Sequence, residues 1–175
     1  CFPKDVQALL RSSKQVGYDF KILNAVEEVN TTQKTIIVPK IKNYFGGNLT
    51  DKRIAIWGLA FKPDTDDIRE APSRYIIDEL IESGAKISAF DPEAMKNVQA
   101  IYSDKINFGS NEYDVLENAD ALLIATEWGV FRNPDFTKIS DLMKEKVIFD
   151  GRNLYDIEKM TSLGYRYYSI GRKVI

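Results

Sequence analysis

The sequence predicts a doubly wound parallel α/β domain preceded by a helical segment. From Asp51 onward, short apolar runs alternate with stretches patterned as helices. The first run, Arg53-Ile54-Ala55-Ile56-Trp57, is nearly continuous in apolar residues, as in a parallel strand covered on both faces. Residues 1 to about 48 contain no convincing strand.

The helical segment opens with Lys4 to Ser13, where Val6, Leu9 and Leu10 fall at helical spacing and Pro3 suits a first turn. Gly17 interrupts it. A longer pattern runs from Phe20 through Leu23, Val26, Ile36, Ile37 and Ile41 to Tyr44 and Phe45, with Pro39 expected to kink it or end it early. Gly46-Gly47-Asn48 stops it. Its apolar face has little neighbouring chain to cover it, so a second subunit or an upstream part is expected to do so. The α/β part then reads as strand 53–57, helix 74–83 and strand 86–90. A short helix at 93–100, a short strand at 106–108 and a helical stretch at 113–118 follow. Strand 121–126, helix 135–143, strand 147–149, helix 156–163 and strand 165–169 complete it.

The 175 residues carry 24 Lys plus Arg, 26 Asp plus Glu, one Cys and no His. Without His there is no Ser-His-Asp triad, no Cys-His dyad and no His-ligated zinc. One Cys gives neither an internal disulfide nor a CxxC site, and no metal site is predicted. A net charge of -2 disfavours a nucleic-acid binder. The longest purely apolar run, Ala121 to Ala125, is too short to span a bilayer, and no signal-peptide pattern opens the chain. The expected location is therefore the cytoplasm. The chain begins with Cys1 rather than Met, so we expect a fragment whose upstream part is missing.

Open parallel sheets bind ligands outside the carboxyl ends of their strands. The segments at those ends are Gly58-Leu59-Ala60-Phe61-Lys62-Pro63-Asp64-Thr65-Asp66-Asp67-Ile68-Arg69-Glu70, Asp91-Pro92, Glu127-Trp128 and Asp150-Gly151-Arg152-Asn153. Lysines and arginines from separate loops would converge on one edge, which suits a phosphate-bearing ligand. The first loop lacks GxGxxG, so ordinary dinucleotide binding is not expected here. Asp64, Asp66 and Asp67 read first as turn and cap residues. Lys62 and Arg69 are ligand candidates by position, although Arg69 beside Glu70 also fits a surface ion pair. Trp128 either covers a pocket or caps the sheet, and Arg152 either binds a ligand or holds its turn through Asp150. Cys1 lies before a helix start and near Lys4, which favours a thiolate, with Asp5 close by as a base; the alternative is a small buried apolar residue.

Taken together, Cys1-Phe2-Pro3-Lys4-Asp5, the Gly58–Glu70 loop, Thr126-Glu127-Trp128 and Asp150-Gly151-Arg152 resemble, in order and spacing, the motifs of the nucleotide-sugar dehydrogenases. The resemblance covers essentially the whole chain. It implies that residues 1–48 are the end of a central helical dimerisation domain and residues 49–175 a C-terminal, Rossmann-like UDP-sugar-binding domain. It also implies oxidation of UDP-glucose to UDP-glucuronate in two hydride transfers to NAD, with the cofactor held mainly by a domain outside this chain. Cys1 inherits the role of nucleophile, passing through a thiohemiacetal and a thioester, while Lys4 lies near the active site and cofactor and Asp5 positions the water. Phe61, Lys62 and Arg152 inherit substrate contacts, and Arg69 a contact to NAD. The family's helix after the cysteine packs in a homodimer. UDP-N-acetylmannosamine, UDP-N-acetylglucosamine and GDP-mannose are alternative substrates. A non-catalytic nucleotide-binding or dimerisation module is the alternative of another class, and a receiver domain is disfavoured because no acceptor Asp ends the first strand. The fragment alone is expected to be inactive.

Overall fold

A computed structural model describes residues 2–174, with side chains from Lys4 onward. The helical segment comprises α1 (Phe2–Gln15), α2 (Lys21–Lys34) and α3 (Val38–Tyr44). The α/β part follows in the order β1 (Arg53–Trp57), α4 (Pro72–Glu82), β2 (Lys86–Phe90), α5 (Met95–Tyr102), β3 (Asn107–Phe108), β4 (Ala121–Ile124), α6 (Phe136–Leu142), β5 (Val147–Asp150), α7 (Ile157–Ser162) and β6 (Arg166–Ser169). The six strands are all parallel, ordered β3-β2-β1-β4-β5-β6. This is the doubly wound sheet that the alternation predicts.

The apolar continuity of the strands sets their place in the sheet. All four residues of β4 and of β5 are buried, as are Ile54 to Trp57 of β1, so these strands fill the centre. β2 and β6 alternate buried with less buried positions and lie outside them. The right-handed crossover rule puts α4 and α5 on one face and α6 and α7 on the other. Asp135 starts α6 by accepting from the amides of Thr137 and Lys138, and Asp156 starts α7 by accepting from Lys159.

Two expectations change in detail. The long helical pattern of 20–45 is two helices. α2 ends at Lys34, five residues ahead of Pro39, because a proline ring inside a helix collides with the carbonyl four residues earlier, here that of Thr35. Pro39 then sits in the first turn of α3, where its missing N–H leaves nothing unpaired. Second, the stretch 113–118 forms only a three-residue 3-10 turn, Asp114–Leu116, which ends where Glu117 becomes extended, at ψ 116°.

The apolar face of the segment is divided in use. Ile37, Val38 and Ile41 are buried in one core with the sheet. Tyr44 meets Phe149 of β5 and Tyr168 of β6 edge-on at 5.8 and 5.7 Å, while Lys42 pairs with Glu79 of α4 at 3.0 Å. α3 thus extends the α4 layer across the second half of the sheet. On α1, α2 and the turn between them, Leu9, Val16, Tyr18, Ile22 and Val29 remain exposed. Among the described residues, no helix is long and apolar enough to cross a membrane.

Candidate functional site at the strand switch

β1 and β4 are neighbours whose connections leave toward opposite ends of the sheet, which opens a crevice beyond their carboxyl ends. Its floor is built by close approach. Gly58 follows β1 at φ +91°, and a Cβ there would stand 2.5 Å from the Thr126 Cβ and 2.6 Å from its amide nitrogen. Only glycine lets the two strand ends pass this closely. Thr126 donates its hydroxyl to the Ala60 carbonyl at 2.6 Å, and Ser73 donates to the Leu59 carbonyl at 2.6 Å, fixing the start of the long first loop.

Asp91, at the end of β2, is 1% exposed and fully hydrogen-bonded. Its Oδ2 accepts from the amides of Leu59 (2.6 Å) and Ala60 (3.0 Å) and from Trp128 Nε1 (2.9 Å). Its Oδ1 accepts from the amides of Glu93 (2.9 Å) and Ala94 (2.7 Å). These last bonds hold a turn ahead of α5, so that helix begins at Met95, later than expected. The bond from Nε1 to Oδ2 decides the reading of Trp128, which is buried and anchors the β4 loop to this carboxylate. A buried carboxylate saturated with donors stabilises its surroundings without free lone pairs for a ligand.

The same bonds decide how a dinucleotide would fit. In dinucleotide-binding folds the amides after β1 receive the pyrophosphate. Here the Leu59 and Ala60 amides are taken by Asp91, and Gly58 is committed to the crossing with Thr126. The β1 turn therefore does not fit NAD.

A cleft of about 290 Å³ opens beside this floor, bordered by Lys34, Ile37, Phe61, Pro72, Gly151 and Arg152. The structure thus brings together two predicted ligand residues from different loops, Phe61 and Arg152, against the end of α2. Phe61 is 38% exposed and offers a ring face. Arg152 follows β5, where Asp150 Oδ1 accepts from its amide at 2.8 Å. Its guanidinium forks onto Glu127, Nε to Oε2 at 2.5 Å and Nη2 to Oε1 at 2.8 Å. Burial alone would raise the Glu127 carboxyl, but the Arg152 pair outweighs it and holds the group below its ordinary value. A second cleft, of about 300 Å³, shares Gly151 and Arg152 with the first and is also lined by Glu127, Arg132 and Asn153.

Among the described residues, the remaining predicted ones line neither cleft. Lys62 is exposed. Arg69 is exposed and forks onto Asp67 through Nε (2.9 Å) and Nη2 (2.7 Å). That pair, with the Arg69 amide, holds the Asp67 carboxyl far below the usual range. Asp67 thus has the cap-and-turn role expected of it, and Arg69 pairs with Asp67 rather than with its neighbour Glu70. Lys4 and Asp5 are exposed in the first turn of α1. Cys1 lies outside the described residues.

Sequence reasoning missed Lys34. Its side chain is 8% exposed, pairs with Glu70 at 2.6 Å and lies 4.3 Å from the centroid of the Tyr75 ring. Burial lowers the Lys34 pKa, but Glu70 and Tyr75 outweigh it and the result is raised; Glu70 is correspondingly lowered, chiefly by Lys34. The role of Asp91 as a hub was missed as well, although its position after β2 was noted. An acid at the end of the second strand was the available signal.

The chain has clear counterparts among known proteins. The family described as the UDP-glucose/GDP-mannose dehydrogenase family, UDP binding domain, matches residues 55–157, more than half of the chain. A UDP-glucose 6-dehydrogenase of Pseudomonas aeruginosa is 45% identical over 177 residues, covering 98% of this chain and 39% of that relative. The UDP-glucose 6-dehydrogenase TuaD of Bacillus subtilis is 41% identical over 175 residues, covering 100% of this chain and 38% of the relative. The solved structure of a UDP-glucose dehydrogenase from the hyperthermophilic archaeon Pyrobaculum islandicum superposes with a TM-score of 0.80 at 30% identity, over 96% of this chain and 36% of that one. The chain spans about two fifths of the length of the curated relatives it matches. With a doubly wound sheet, a crevice at its switch point and a family match that runs through both, this chain belongs to the UDP-glucose/GDP-mannose dehydrogenase family and carries its UDP-binding domain.

Proposed function

We propose that this chain forms the nucleotide-sugar-binding part of an NAD-dependent dehydrogenase that oxidises UDP-glucose to UDP-glucuronate. The observation that carries the reading is the cleft at the strand switch, where the Phe61 ring and the Arg152 guanidinium converge. An aromatic face suits a base or sugar ring, and a guanidinium suits phosphate or hydroxyl oxygens. The names of the similar proteins favour UDP-glucose over other sugar nucleotides.

In this reading Phe61, Lys62 and Arg152 bind the nucleotide sugar. Lys4 and Arg69 reach toward NAD, which supplies hydride acceptance when bound and is held by a separate domain, since the β1 turn here does not fit it. Cys1 adds to the sugar aldehyde to give a thiohemiacetal, loss of its hydride to NAD leaves the thioester, and water held by Asp5 attacks that thioester to release the carboxylate and return the thiol. The exposed Leu9, Ile22 and Val29 serve a homodimer contact. The helical segment 1–48 and the binding domain 49–175 divide the chain.

The test is turnover by the dehydrogenase that carries this chain across a panel of sugar nucleotides. UDP-glucose is expected to be preferred, and Cys1→Ser to abolish turnover while UDP-glucose binding stays nearly unchanged. Preference for a GDP-sugar, or full turnover by Cys1→Ser, contradicts the reading. The 175-residue chain alone should produce no NADH.

A further inference from the structure

We propose that Glu127 is a positioning residue for nucleotide-sugar binding: it fixes the Arg152 guanidinium so that the remaining N–H donors face the clefts. The proposal rests on the reading that Arg152 contacts the nucleotide sugar. Its geometry is independent of that reading. Glu127 follows β4 and Arg152 follows β5, so the pair spans the carboxyl ends of two adjacent central strands. Asp150 and the turn at Gly151 fix the Arg152 backbone; a Cβ at Gly151 would stand 3.1 Å from the Ile124 carbonyl. An arginine side chain nonetheless keeps several rotatable bonds beyond a fixed backbone, and ordering it on ligand binding is an entropic penalty.

Glu127 removes that penalty in advance. Its carboxylate takes the Nε edge and one Nη2 hydrogen of the guanidinium, in a two-point pairing that fixes both direction and plane. Among the described residues, the donors on the other edge have no protein partner. With side chains 25% and 35% exposed, the pair lies at the cleft surface, neither sealed in the core nor loose in solvent. Because Glu127 also balances the charge of Arg152, the arginine acts on a ligand through directed hydrogen bonds more than through net charge.

The experiment is calorimetric titration of the protein with UDP, for wild type, Glu127→Gln, Arg152→Ala and the double variant, with thermal midpoints measured alongside. Glu127→Gln is expected to weaken UDP binding roughly tenfold, about 1.4 kcal/mol, with little change in midpoint. On the Arg152→Ala background, Glu127→Gln should have no further effect, which separates positioning through Arg152 from a general structural role. Equal weakening on both backgrounds overturns the proposal. Tighter UDP binding by Glu127→Gln also overturns it, because Glu127 would then be an anion competing with the ligand for Arg152. If Arg152→Ala leaves UDP binding intact, the underlying reading of Arg152 fails. If Arg152→Ala weakens binding and Glu127→Gln does not, only the positioning role fails.

Discussion

Asp91 accepts five hydrogen bonds from three parts of the chain, and this one carboxylate joins the β1 loop, the start of α5 and Trp128. Asp91→Asn keeps the shape but turns an amide group toward donors on one side. We expect it to lower unfolding free energy by about 3 kcal/mol, read by urea denaturation. Gly58→Ala acts on the same floor by a different route, pressing a methyl against Thr126 at an unfavourable φ. A loss of about 3 kcal/mol or more is expected there, and retention of wild-type stability would show that the strand ends have room to part. At this scale the sequence was partly legible. Arg152 could be picked out because it follows a central strand directly, at the edge where an open parallel sheet binds ligands, whereas Phe61 was legible only through the family resemblance. The partner Glu127 and the five donors to Asp91 could not, because they depend on which strands lie side by side.

At the scale of elements, the strand and helix order followed from period and punctuation, and the apolar density of β1, β4 and β5 placed them centrally. The helical segment was harder. Its apolar stripe showed that something must cover it, without showing that Ile37 and Ile41 face this chain's own sheet while Ile22 and Val29 do not. The junction between α2 and α4 depends on Lys34, which is nearly buried against Glu70 and Tyr75. Glu70 has a depressed pKa in the fold, so its contribution is present above its unfolded value and is lost as pH falls through the lower folded one. Lys34→Met removes the charge that depresses it. We expect a stability loss of about 1–2 kcal/mol at neutral pH and a shallower acid limb in a denaturation series below about pH 5. An unchanged acid limb would show that the pair does not couple to folding.

Across the whole molecule, the absence of His leaves no imidazole to titrate near neutrality, and stability should be nearly flat from about pH 6 to 9. The alkaline side differs. Burial, followed by the nearby Glu145, raises Tyr44 to about 12, and burial with Asp141 raises Tyr165 to about 12. Both pKa values are raised in the fold, so their contribution is complete below about pH 10, the ordinary tyrosine value, and disappears as pH rises toward 12. Denaturation midpoints should therefore fall steeply in that interval, together with tyrosinate absorbance.

On the proposed function, the strand-switch cleft holds a uridine diphosphate and the β1 turn holds no dinucleotide. Titrating the 175-residue chain separately with UDP and with NAD, followed by calorimetry, tests both halves at once. Saturable heat is expected with UDP, greatly reduced by Arg152→Ala, and none with NAD. Saturable NAD binding to this chain, or UDP binding indifferent to Arg152, would contradict it.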